Sequence, residues 1–154
     1  MPIFKALHIL SMIAMVTIEI GSEFLYAFAI SRRDVRGLAT VHRLLEQARA
    51  GPASIAALVS GVVFGLLTAA TGGFDFLDGW LIAAYVLLIV LIVTTTVFLR
   101  PALRLGRAAV EAEEGQGASD DLVREMAAHR TVLWFAIDVA VVVAFVVDMV
   151  LKPF

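Results

Sequence analysis

Four stretches of almost unbroken apolar residues, at 3–30, 54–71, 80–99 and Thr131–Leu151, alternate with segments that are polar, turn-rich or basic. About 20 apolar residues in helical form cover a hydrocarbon core, so each stretch predicts a transmembrane helix. Residues 31–52 are rich in Arg yet keep Val35, Leu38, Val41, Leu44 and Leu45 at helical spacing, which predicts an interfacial amphipathic helix. Residues 72–79 are short and turn-rich, so the second and third spans are expected to form an antiparallel hairpin. The segment 100–130 opens with Arg100-Pro101 and holds the flexible run Glu113-Glu114-Gly115-Gln116-Gly117. Ser119 before Asp120 and Asp121 then reads as the N-cap of a helix running on into the fourth span. The expected fold is all-α: one polytopic membrane domain, an up-down-up-down four-helix bundle with a cytoplasmic amphipathic helix after span one.

Composition agrees with lipid as the solvent. Of 154 residues, 61% are hydrophobic and 17% charged, against about 45–50% and about 25% in soluble domains. The formal charge of -2 leaves no basic field for nucleic acid. Without Cys there is no disulfide, thiolate metal site or thiol nucleophile. Five Arg residues lie in the first loop (Arg32, Arg33, Arg36, Arg43, Arg49) and five in the third (Arg100, Arg104, Arg107, Arg124, Arg130), while 72–79 has none. Positive loops stay cytoplasmic, which predicts a bacterial inner-membrane protein with both large loops inside and both termini outside. Lys5 ahead of an apolar run, with Ala27-Phe28-Ala29 beyond it, imitates a signal peptide. Glu19 and Glu23 interrupt that run, so the segment is expected to be retained.

The chemistry-bearing residues are those that lipid excludes. An ionised carboxylate at mid-bilayer costs about 2.5–3.5 kcal/mol, so such groups face the bundle interior. On the first helix His8, Met12, Met15, Glu19, Glu23 and Tyr26 fall within roughly 80° of arc, with Lys5 at the edge. On the fourth, Trp134, Asp138, Phe145, Asp148 and Lys152 share a face of similar width. His8 to Glu19 spans about 16 Å and Asp138 to Asp148 about 15 Å, so the two ladders can align rung for rung. His8 would meet Asp148 in an outer polar cluster with Lys5 and Lys152. Glu19 would meet Asp138, with Glu23 one turn away. Acids placed in this way hold a proton between them or share a cation, which makes Glu19, Asp138 and Glu23 the candidate proton- or cation-handling residues.

Plainer readings stand beside these. His8 serves equally as a hydrogen-bonded interfacial histidine, Glu23 and Asp148 as interfacial acids, and the methionines as core filler. His8, Met12 and Met15 also suit copper. Haem could use His8 with Met or alone, since His42 and His129 lie in loop segments. Ala57, Gly61, Gly65 and Ala69 form a small-residue face for close helix packing, within this chain or with another copy. Thr94, Thr95 and Thr96 can bond back to carbonyls one turn earlier. No Walker loop, HExxH, Gly-x-Ser-x-Gly or hydrolase carboxylate pair occurs.

With Phe4-Lys5-Ala6-Leu7-His8-Ile9-Leu10 at the start, four spans, a basic segment after the first, and Met149-Val150-Leu151-Lys152-Pro153 at the end, the chain resembles the integral-membrane family called domain of unknown function 2269. That resemblance implies a four-helix membrane protein and no established activity. The Lys-x-x-Leu-His opening is also similar to membrane protoporphyrinogen oxidases and copper-resistance D-type proteins. In the oxidases the matching histidine works with a lysine in a later span, and here no lysine lies between Lys5 and Lys152.

Three functional expectations follow. The first is proton or cation handling by a buried acidic pair, in a homo-oligomer or larger membrane complex with the Gly61/Gly65 face as contact. The second is a haem- or porphyrin-binding redox protein centred on His8, and the third a non-catalytic packing subunit.

Overall fold

The computed structural model describes residues 2–115, 119–128 and 130–151. They form six helices: α1 (Pro2–Ser31), α2 (Val35–Gln47), α3 (Ala50–Gly72), α4 (Gly79–Glu113), α5 (Ser119–Ala128) and α6 (Thr131–Leu151). Four of these, α1, α3, α4 and α6, are long and apolar enough to span a membrane. Most of their side chains point outward, among them Ile9, Leu10, Ile13, Ile89, Ile92 and Val146. A helix satisfies its backbone internally, so this apolar coat is stable in lipid and needs no protein cover.

Turn chemistry sets where the helices stop. Arg33 sits in the left-handed region after α1, and Asp34 then caps α2 by accepting the Gly37 N–H at 2.9 Å. A second left-handed residue, Arg49, separates α2 from α3. Gly73, at φ 74°, closes α3, its N–H bonding Ala69 O together with that of Phe74; this double closure favours glycine. Phe74 and Trp80 then meet edge to face at 5.5 Å and fasten the short connection. We call this the hairpin end, and the end carrying α2 and α5 the basic end.

α1 packs on α3 and α6, and α6 packs in turn on α4. First and last spans are therefore neighbours, and Phe24 against Phe135 at 6.1 Å shows them antiparallel. α3 and α4 meet through Ala69, Trp80 and Leu81 beside their short connection, while α3 packs mainly on α1 and α4 on α6 and α2. The reason lies in α1, whose Met12 and His8 occupy the small-residue face of α3.

Two boundaries differ from the sequence expectation. α4 does not end near Leu99 but passes through Pro101 to Glu113. Pro101 removes one backbone bond, yet Phe98, Ala102, Leu105 and Ala109, at helical spacing, are all buried against α1, α2 and α5. Each large apolar side chain buried from water is worth about 1.5–3 kcal/mol, enough to carry the helix past the proline. Arg43 and Arg36 of α2 add ion pairs to Glu113, at 2.6 and 3.6 Å. Likewise α5 is separate from α6: it ends at Ala128, and Trp134 N–H bonds Arg130 O in the first turn of α6. Leu122 and Met126 pack α5 onto the core cluster at the basic end.

Candidate functional site

Two buried carboxyl groups, Glu23 and Asp138, lie where α1 packs on α6 near the basic end. Glu23 is 1% exposed and Asp138 0%. Asp138 of α6 and Glu19 of α1 are the acidic groups that act on Glu23. No protein N–H or O–H among the described residues reaches any of the four oxygens. The expected partner of Asp138 was Glu19, and the structure places Glu23 there, one turn further along α1. Equal rung spacing fixes a register only if both rungs pair. The outer rung does not: His8 Nδ1 meets the Gly61 carbonyl of α3 at 2.7 Å, and Asp148 forms no ion pair among the described residues. Relieved of that constraint, α1 sits with Glu23 level with Asp138.

Glu19 faces α3 instead, where the Ser54 hydroxyl donates to it. Glu19, Glu23 and Tyr26 of α1 line one wall of a cavity of about 440 Å³. Leu99 and Leu103 of α4 line another, and Glu46, Arg49 and Ser54 complete it from α2 and the start of α3. Glu46 and Arg49 are exposed at its mouth, whereas Glu23 is enclosed.

Beside this cavity runs a chain of polar groups. The Tyr26 hydroxyl lies 2.7 Å from His42 Nδ1, and His42 Nε2 lies 3.3 Å from Glu46 Oε1. Because Glu46 can only accept, this network assigns the proton to Nε2 and makes Nδ1 the acceptor for Tyr26. Burial lowers the His42 pKa below its ordinary value, with the Glu46 charge opposing and Arg107 adding to the depression. Gly106 of α4 makes room for the ring: a Cβ there would lie 2.7 Å from Nδ1.

The remaining expected residues lie nearer the hairpin end. Met12 meets Gly61, His8 meets Gly65, and Met15 is buried. The Gly61/Gly65 face is thus taken up by α1 of the same chain. The outer polar cluster does not assemble as expected: Lys5 is exposed, and Asp148 is buried with one carboxyl oxygen unpartnered. Lys152, like His129, lies outside the described residues. The space beside His8 is about 70 Å³, small against the ~300–1,000 Å³ of ligand pockets, so a porphyrin would require the helices to part. Among the described residues no three His, Asp or Glu side chains converge on a metal position. Thr94 and Thr96 donate to carbonyls of their own helix, at Leu91 and Ile92.

Four residues of this region had no assigned role in the sequence reading: Tyr26, His42, Glu46 and Ser54. One signal was available. His42 follows Leu38 by four residues on the apolar stripe of α2, so its ring points inward. Ser54 and Glu46 carried no comparable signal, since only the meeting of α1, α2 and α3 gives them a place.

Six helices, four of them membrane-spanning, around a buried carboxyl pair define a polytopic helical membrane protein. The chain belongs to the DUF2269 family, described as a predicted integral membrane protein, which matches residues 2–153. No curated protein and no solved structure matches it.

Proposed function

We propose that this integral membrane protein takes up and releases a proton at the Glu23–Asp138 pair, with the cavity at the basic end as the route of access. The observation that carries this reading is a pair of fully buried carboxyl groups, on packed helices, that no protein donor reaches. Two such groups cannot both be ionised at close range without a large electrostatic cost, and one proton held between them satisfies both. A hard divalent cation would ask for about six or more oxygen ligands, and the two carboxyl groups supply at most four. The ten Arg residues of the first and third loops orient the basic end, and with it the cavity mouth, toward the cytoplasm of a bacterial inner membrane.

The test combines spectroscopy with flux. Infrared difference spectra of wild type between neutral and alkaline pH are expected to show the C=O band of a protonated carboxyl, absent in Glu23→Gln and in Asp138→Asn. In vesicles loaded with a pH dye, an imposed potential is expected to drive acidification faster in wild type than in either variant. The same band and the same flux in wild type and in both folded variants would overturn the reading.

A further inference from the structure

The cavity has a chemical character beyond access to a proton. Its inner wall carries the carboxyl group of Glu19, with Glu23 enclosed directly behind it, and among the described residues neither forms an ion pair with Lys, Arg or His. Glu23 is enclosed, both of its oxygens lack a protein donor, and it lines the cavity. At the mouth Glu46 and Arg49 offset each other, so the negative charge is concentrated inside. The opposite wall is apolar, formed by Leu99 and Leu103 of α4 with Ile18 of α1. The volume of about 440 Å³ lies within the ~300–1,000 Å³ range of small-molecule sites.

We propose that the cavity binds a monovalent organic cation with an apolar body, an amine or quaternary ammonium. Its charged head lies toward Glu19 and Glu23, and its body against Leu99 and Leu103. An apolar wall keeps water away and strengthens attraction between unlike charges. An anion would meet the Glu19 carboxylate, which has no ion pair, and a neutral apolar guest would leave that charge against an apolar body. The inference rests on the proton-handling reading in one respect: cation and proton compete for Glu23, so one cation entering displaces up to one proton to solvent.

Equilibrium dialysis of labelled phenyltrimethylammonium against the full-length protein in detergent tests this, with labelled benzenesulfonate as an anion of similar size. Wild type is expected to bind the cation saturably, at least tenfold more tightly than the anion and more weakly as pH falls. Glu19→Gln is expected to weaken binding about tenfold, and Leu103→Trp, which fills the apolar side, to abolish it while the helical spectrum is retained. A pH indicator in weak buffer reads proton release in the same sample. Cation binding without proton release, still sensitive to Glu19→Gln, supports the cavity assignment and removes the proton reading. Absence of saturable binding while the protonated-carboxyl band persists overturns the cavity assignment alone. Equal affinity for both ions, or indifference to both substitutions, overturns it as well.

Discussion

Removing a single hydroxyl group tests how the basic end is held together. Tyr26 is 1% exposed and His42 2%, and their 2.7 Å contact joins α1 to α2 over the core cluster. In Tyr26→Phe the ring still fills its space, so little packing is lost. His42 Nδ1, however, loses its donor in a site that water does not reach. An ordinary hydrogen bond contributes about 0.5–1.5 kcal/mol net, and a buried group left unpaired costs about 1–3 kcal/mol. We therefore expect Tyr26→Phe to destabilise by about 1–3 kcal/mol. Replacing both partners by apolar groups removes the unpaired atom along with the bond, so Tyr26→Phe with His42→Leu is expected to cost less than the sum of the single changes. The cycle would show a coupling of about 0.5–3 kcal/mol. Trp80 and Trp134 sit in helices α4 and α6 and report unfolding by fluorescence in mixed micelles titrated with a denaturing detergent. A Tyr26→Phe cost below about 0.5 kcal/mol, together with additive single changes, would refute the reasoning.

Two further outcomes follow from the same geometry. His42, whose pKa is lowered from 6.5 by burial, binds protons more readily in the unfolded chain than in the folded one. Its contribution is therefore intact above about pH 6.5 and is lost as pH falls from there through its folded value, with a slope no steeper than about 1.4 kcal/mol per pH unit. Unfolding titrations of wild type and His42→Leu check this, since the difference between them isolates that segment of the pH profile. At the α1–α3 contact, a Cβ on Gly61 meets the mobile thioether of Met12 at 2.6 Å, whereas one on Gly65 meets the His8 ring at 3.0 Å. That ring is tethered to Gly61 O. Alanine gains up to about 1 kcal/mol of helix propensity over glycine, so Gly61→Ala is expected to be neutral or stabilising and Gly65→Ala less stable by about 1 kcal/mol. The same unfolding assay ranks them.

The spans, their number and the α2 stripe were legible because they follow from local quantities: twenty apolar residues in a row, or Val35, Leu38 and Leu45 at a helical period. Lipid imposes that relation on each segment separately, whatever its neighbours do. The inward stripe of α1 was legible for the same reason, since a carboxyl group cannot face hydrocarbon cheaply. Which acid meets which was a different kind of question. Periodicity reports the face of a helix but not its height against the next one, and a slide of one turn leaves every face unchanged. His8 choosing the Gly61 carbonyl over Asp148 sets that height, and it does so through α3, a helix that neither ladder mentions. The same holds for α4 beyond Pro101 and for His42: each depends on the partners that α1, α2 and α5 bring to the basic end, and such partners exist only once the helices have met.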